Sequence, residues 1–404
     1  MEKVTSEVAL RKVALAMGPD SIEVGVRGRI RTWIEELVEA ELTAVLGAAV
    51  SERSGATRRG YRHGHRERSL STSLGPTMFQ LPRARLQSAP GETREWQSAV
   101  VPRYQRRTGR VDEALLGVYL SGTNSRRIRS ALSPLLKGAP LSKDAVSRLT
   151  GRLADDFAAW RGRDLADDQI RYLFLDGWYP KVRLGKQRVR VPVLVTLGVC
   201  ADGRRLLLDL RMAGEESAGA WREVVESLVA RHIGVPLLAV IDGNPGLSTA
   251  LRNAWPHLEL QRCTAHKLRN LQAKAPARWR EELTEDYRRM IYAESAAAVQ
   301  KARGSFTKKW RLRCPAVISS LEEASDELFT FTRFPVAQWK ALRTTNAIER
   351  INEEFRRRVK TQGSLPSQDA VMLLLFGLLR SGQIKLRALV GYQDMGKTAE
   401  RPAA

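Results

Sequence analysis

Tyr172-Leu-Phe-Leu-Asp176-Gly-Trp178 and Leu237-Leu-Ala-Val-Ile-Asp242-Gly-Asn244 decide how this chain is read, because each is an apolar, strand-like run closed by an aspartate and a glycine. An acid that ends a buried strand is costly to desolvate, since ionised carboxylates survive burial only when paired or metal-bound. A glutamate, Glu349, follows in the helix-like segment Asn346-Ala-Ile-Glu-Arg350. Three such carboxylates form a hard oxygen site suited to two divalent ions, Mg²⁺ or Mn²⁺ in its place. Phosphodiester hydrolysis and transesterification need an activated oxygen nucleophile, charge relief at phosphorus and a stabilised leaving oxygen, and two metals about 4 Å apart supply all three. In a chain of 404 residues with net charge +23, phosphate chemistry on DNA is the leading reading.

Each acid also has a plainer local reading. Asp176 and Asp242 precede glycine, as turn formers and Asx caps do. Asn346-x-x-Glu349 has the spacing of a capping box, and Glu353, one turn further on, would then take the third acid's place. Asp202, in Ala201-Asp-Gly203 between two strand-like runs, reads as a hairpin turn residue.

The charge points to a polyanionic partner. Lys plus Arg number 67 against 44 Asp plus Glu, which favours nucleic acid over membrane. Residues 58–110 carry twelve arginines, no lysine and three acids, Glu67, Glu92 and Glu95; the planar guanidinium fork suits phosphate and guanine edges. Candidate DNA contacts there are Arg58, Arg59, Arg62, Arg66, Arg83, Arg85, Arg103, Arg106 and Arg107, and a flexible basic linker is the competing account. Three scattered cysteines imply a reducing, cytoplasmic setting, and the N-terminus lacks an apolar leader. The longest apolar run, Ala370 to Leu379, is too short to span a bilayer.

Periodicity divides the chain. Residues 26–50 place Ile30, Ile34, Leu37, Val38 and Leu42 at helical spacing. Residues 54–110, rich in breakers, read as a small β-containing or irregular module. Predicted helices at 111–120, 125–136 and 141–149, with Ser121-Gly-Thr-Asn124 between the first two, suggest a helix-turn-helix whose last helix carries Lys143 and Arg148. Strands are predicted at 171–182, 188–200 and 204–212, then a helix at 218–232, a fully buried strand at 236–241, a helix after Gly246, a strand at 257–262 and a helix from Thr264. This order builds a mixed sheet in which the first and fourth strands lie side by side, with Asp176 facing Asp242. Residues 278–340 read as an inserted all-α block with helices at 281–292, 295–304 and 316–331; its tryptophans Trp279, Trp310 and Trp339 are expected in the core. A charged helix with Glu349, Arg356, Arg357 and Arg358, the last three further DNA candidates, precedes the apolar helix 367–380.

Several motifs occur in a specific order. They are Arg59-Gly-Tyr-Arg-His-Gly-His-Arg66, Leu81-Pro-Arg-Ala-Arg85, Pro102-Arg-Tyr-Gln-Arg-Arg107, Val146-Ser-Arg-Leu149, Leu175-Asp-Gly177, Val240-Ile-Asp-Gly-Asn-Pro-Gly-Leu247, Cys263-Thr-Ala-His266 and Thr344-Thr-Asn-Ala-Ile-Glu-Arg-Ile-Asn352. In these the chain resembles, over nearly its whole length, the Mutator-like transposases of bacterial insertion sequences. The resemblance implies an α/β, RNase H-like mixed-sheet catalytic core interrupted by an all-α insertion and preceded by a mainly helical DNA-binding region. It implies a metal site of Asp176, Asp242 and Glu349, partners in double-stranded terminal inverted repeats and target DNA, a homodimer on DNA, and a nucleoid-associated place in the bacterial cytoplasm. The domains so implied are 1–57, 58–110, 111–165, 166–277, 278–340 and 341–404. Cys263-x-x-His266 corresponds to a family signature; the pair supplies only two of the four ligands of a structural zinc, so it is read as a strand-to-helix junction near Asp242, with His266 toward a phosphate. Arg350 departs from the small residue frequent there in the family. A non-catalytic DNA-binding regulator derived from a transposase is the alternative, and a free-standing RNase H-like nuclease would leave the basic N-terminal region without a purpose.

Overall fold

The computed structural model describes residues 21–52, 58–89, 92–120, 143–184, 187–190, 192–214, 216–361 and 367–395. The chain divides into two units, Met1–Tyr119 with Thr123–Leu149, and Leu120–Gly122 with Thr150–Ala404. In the first, helix α1 (Ser21–Leu46) turns Ile34, Val38, Leu42 and Leu46 onto a sheet of β1 (Gly60–Thr72), β2 (Gly75–Ala89) and β3 (Glu92–Glu95), where they meet Phe79, Leu81, Ala84 and Trp96. Leu37 faces outward instead. The antiparallel order β1-β2-β3 makes the Arg-rich segment a regular β-module, a larger β content than the expected mainly helical region. Helix α2 (Gly109–Leu120) packs Val111 and Leu115 against Leu149 of helix α3 (Lys143–Gly162). The predicted turn 121–124 and helix 125–136 lie outside the described residues.

Arginine holds the β-module together. Arg62 bonds Glu39 (2.9 Å), Thr43 (2.8 Å) and the Ala48 carbonyl (2.9 Å), tying α1 to β1. Arg68 reaches the carbonyls of Val101, Pro102 and Gln105, the last at 2.7 Å. Partial burial, then the charges of Arg66 and Arg106, lower the Arg68 pKa.

In the second unit the sheet strands are β4 (Ile170–Trp178), β7 (Val193–Cys200), β8 (Arg205–Met212), β9 (Leu238–Ile241) and β10 (Glu259–Arg262), with a separate hairpin, β5 (Lys181–Leu184) and β6 (Gln187–Arg190), between β4 and β7. The sheet order is β10-β9-β4-β7-β8. The expected first and second strands are thus each divided, since the chain leaves the main sheet after Trp178 and rejoins it at Val193. Helices α4 (Ala218–Ala230) and α5 (Pro245–Ala254) bury Trp221, Val224, Leu228, Leu247 and Leu251 against Leu173, Leu175, Leu194 and Ile241.

After α6 (Thr264–Lys274) come α7 (Arg280–Ile291), α8 (Ala296–Arg313), α9 (Pro315–Glu323) and α10 (Val336–Leu342), then α11 (Asn346–Thr361) and α12 (Gln368–Arg380). Helix α8 continues past Gly304 because Val299, Phe306 and Trp310 form one buried stripe. The expected helix 316–331 stops at Glu323 and gives way to two 3-10 turns. Gln261 on edge strand β10 explains the break: its amide donates to Leu328 O and accepts from Phe331 N–H, and Thr330 bonds Leu260 O. The turns thereby cover an edge that would otherwise present unpaired backbone. Trp310 and Trp339 are core residues, while Trp279 is half-buried, edge-on to Trp310. Among the described residues no helix is long and apolar enough to cross a membrane.

Arg62→Ala should cost about 2 kcal/mol, the scale of several hydrogen bonds to a charged group, and lower the denaturation midpoint of the first unit. Exposed Arg103→Ala should change stability by less than ~0.5 kcal/mol. Equal effects in chemical denaturation would refute the structural role of Arg62.

Candidate active site

The parallel pairing of β4 with β9 aligns Tyr172 with Leu238, Leu173 with Ala239 and Phe174 with Val240. Two residues further along stand Asp176, still within β4, and Asp242, the residue that follows β9, at one level of the sheet, and the charge of Asp242 acts on Asp176. Asp176, paired with Val195 of β7, is buried at 5% exposure. Burial raises its pKa to about 7; the carboxylates of Asp242, Glu349 and Glu216 add to the rise and His266 opposes it.

Asp242 does make the Asx turn its sequence allows: its Oδ1 accepts the Asn244 N–H at 3.0 Å. Asn244 then caps α5 through Gly246 N–H and Leu247 N–H, with Pro245 at the first helical position. Gly243 sits at φ +104°, and a Cβ there would lie 2.1 Å from the Arg262 side chain. Turn and site are therefore the same structure. Arg262 is held in place by Glu323 (3.1 Å), which also receives Lys267 (2.6 Å).

Glu349 comes from the first turn of α11. Asn346 is already helical, and the backbone N–H groups of Ile348 and Glu349 bond Thr345 O. The capping-box reading is therefore corrected: the Glu349 carboxylate turns outward to Arg269 on α6, at 2.9 Å. Glu353 is exposed and is not among the charges acting on Asp176.

Cys263 and Thr264 join the strand end to this helix. The Cys263 N–H bonds Ile241 O (2.7 Å), and the Cys263 sulfur accepts from Thr345 N–H and hydroxyl, both at 3.4 Å. Thr264 N–H and hydroxyl both donate to Arg343 O at 2.9 Å. The junction thus positions the Glu349 helix as well as the Asp242 strand. A hydrogen bond with Cys263 raises the His266 pKa, burial opposes it, and the charges of Cys263 and Asp176 raise it further.

Glu216, a further acid at the site, carries no motif in the sequence. It follows β8 and accepts from Tyr179 Oη (2.7 Å), Trp221 Nε1 (3.1 Å) and Asn244 Nδ2 (3.3 Å). Its carboxylate lies so close to Gly177 that a Cβ there would approach it to 2.4 Å. A Cβ after Asp176 would push this carboxylate out of its present place, so the glycine leaves room for it. Among the described residues no three His, Cys, Asp or Glu side chains are drawn together tightly enough to grip one ion as they stand. The all-oxygen acid set around a desolvated Asp176 nevertheless suits a hard divalent cation, which would relieve the crowding that raises its pKa.

Of the DNA candidates, Arg58, Arg59, Arg85, Arg103, Arg106, Arg148, Arg356 and Arg357 are exposed, and Arg66 and Arg358 are half-buried. Arg62 is engaged as above, Arg107 pairs with Asp112 (2.8 Å), Arg83 with Glu95 (3.4 Å) and Arg357 with Glu354 (2.7 Å). Lys143 opens α3, and its side chain lies outside the described residues.

The profile of the family described as Transposase, Mutator family, matches residues 1–385. The chain belongs to the Mutator family of transposases. It is 31% identical over 377 residues to the transposase for insertion sequence element ISRM5 of Rhizobium meliloti, covering 93% of this chain and 91% of that one. It is 32% identical over 357 residues to the transposase for element IS406 of Burkholderia multivorans, 88% and 89% of the two chains. Against the transposase for element IS1081 of Mycobacterium tuberculosis the identity is 31% over 364 residues, 88% and 83%.

Asp176, buried, and Glu216, half-buried, each give a test. With its folded pKa above the unfolded value, Asp176 binds more protons folded than unfolded, so its contribution to stability falls as pH rises from about 4 through about 7. Metal-free Asp176→Asn should therefore be more stable than the parent by roughly 1–3 kcal/mol at pH 8 and indistinguishable at pH 4. An equal gain at both pH values in denaturant titrations would exclude the ionisation as cause. Glu216→Ala, which removes the acceptor of three donors, should lower the activity of the protein at least tenfold while circular dichroism stays native. Glu216→Gln should restore part of it, and full activity in both would remove Glu216 from the site.

Proposed function

We propose that this transposase binds the terminal inverted repeats of an insertion sequence through residues 1–165 and cleaves and joins DNA strands at Asp176, Asp242 and Glu349. The observation carrying this reading is that two strand-end acids at one level of a sheet share an electrostatic environment with a third from a distant helix. The sheet order, with two strands parallel to β4 on one side and an antiparallel pair on the other, supports an RNase H-like core. The helices from Arg280 to Leu342, lying in sequence between the second and third acids, support the helical insertion.

Asp176, Asp242 and Glu349 would hold Mg²⁺, or Mn²⁺, and the bound ions would relieve phosphate charge and acidify the attacking oxygen. The chain's own residues prepare that place. Burial excludes water from Asp176, the Asx turn orients Asp242, and Arg269 holds Glu349 at the rim. His266 brings a proton-bearing group beside Asp176, and the arginines of the first unit supply affinity that does not depend on the acids. The terminal repeats and the target are duplex DNA, engaged by two copies of the chain.

Asp176→Asn, Asp242→Asn and Glu349→Gln should each reduce joining of repeat ends to a target at least a thousandfold and leave end binding within about threefold, while Glu353→Gln should behave as the parent. Gel assays of joined product and of retarded DNA read the two properties separately. Retained joining by any of the three variants would overturn the assignment, and a parent protein that retards end DNA but yields no joined product would favour the non-catalytic regulator.

A further inference from the structure

Hairpin β5–β6 lies between β4, the strand that carries Asp176, and β7, the antiparallel neighbour of β4. Its base is fixed: Trp178 pairs with Val193 two positions beyond Asp176 and Val195, and Tyr179 donates its hydroxyl to Glu216. Above that base Lys181 pairs with Arg190, Val182 with Val189 and Arg183 with Arg188. Strand alternation places positions 181, 183, 188 and 190 on one face and the two valines on the other. Residues 181–190 contain five basic residues and no acid. Lys181, Arg188 and Arg190 are exposed, and among the described residues none of them has an acidic partner.

Like charges directly opposite each other destabilise a strand pair, and a two-stranded hairpin has little stability to spare. This arrangement is therefore poorly suited to solvent and well suited to a polyanion. The site beneath it has the converse problem, since Asp176, Asp242, Glu349 and Glu216 together repel a phosphodiester. A cationic face anchored beside them offsets that repulsion as a strand approaches.

We infer that the hairpin is a DNA-holding arm whose basic face grips the sugar-phosphate backbone of the strand entering the acidic site, without reading its sequence. This rests on the reading of that site as the place of strand cleavage and joining. The full-length protein carrying Lys181→Gln, Arg188→Gln and Arg190→Gln should join ends at least tenfold more slowly. In an Asp176→Asn background, which separates binding from chemistry, the same three changes should flatten the slope of log affinity against log salt by about 2–3, on duplexes of the element's ends and of unrelated sequence alike. Its melting temperature should be unchanged or higher, since repulsion is removed. An unchanged slope together with an unchanged joining rate would overturn the arm. If the parent binds ends and joins nothing, the reading of the site fails, and the slope alone then decides the arm. Should the triple variant unfold, the decision passes to Arg188→Cys, whose thiol would stand apart from the buried Cys200, Cys263 and Cys314: disulfide capture of DNA thiolated beside the cleaved phosphate supports the arm, and no capture at any backbone position excludes it.

Discussion

Parallel pairing between β4 and β9 is the constraint from which the site descends. It brings two acids, separated in the chain by hairpin β5–β6, strands β7 and β8 and helix α4, to one level of the sheet, where the first is almost wholly removed from water. A carboxylate so placed loses hydration without gaining a fixed cationic partner of its own, and its raised pKa is the measure of that loss. The surroundings moderate the cost without removing it. The charge of His266 opposes the rise, and Arg269 pairs with Glu349, one of the acids that adds to it. Strain of this kind persists in a folded chain when function requires it and the rest of the core supplies the stability.

The third acid depends on a longer chain of contacts. Glu349 lies beyond the whole helical block, and its helix is registered to the sheet by a short seam in which Cys263 and Thr264 meet Arg343 and Thr345. Because Cys263 also bonds the carbonyl of Ile241, one residue before Asp242, a single junction sets the positions of both acids. A thiol serves there as a small, weakly polar acceptor in a buried place. The helical block contributes to the same order, since its 3-10 turns cover edge strand β10 and its Glu323 fixes Arg262 against Gly243.

The basic residues divide into two kinds of work. Arg62, Arg68 and Arg107 satisfy carbonyls and acids inside the β-module and so stabilise it. The exposed arginines of that module, with Lys181, Arg188 and Arg190 on the hairpin, leave their charge in solvent. Composition reports the sum of these two populations, and that is why twelve arginines in one segment overstate the number available to a polyanion.

Much of the second unit was legible from its residues. Continuous apolar runs marked β4, β7 and β9, and the hairpin at Asp202 and the helix after Asn244 announced themselves by turn and cap chemistry, because these depend on neighbours in the chain. The motifs identified the family for the same reason. What sequence could not decide was which local possibility tertiary contact would select. Asn346 and Glu349 have capping-box spacing, yet the Thr345 contact with Cys263 begins the helix one residue earlier and Arg269 takes the glutamate. Residues 316–331 are helix-compatible throughout, but a glutamine on a strand more than fifty residues earlier competes for their backbone groups and wins. Glu216 carries no motif, and only packing against Gly177 and Asn244 places it at the site. Local spacing determines elements and their ends where the backbone is satisfied by near neighbours; burial and hydrogen bonds between distant residues determine the rest, because their partners are set by the fold.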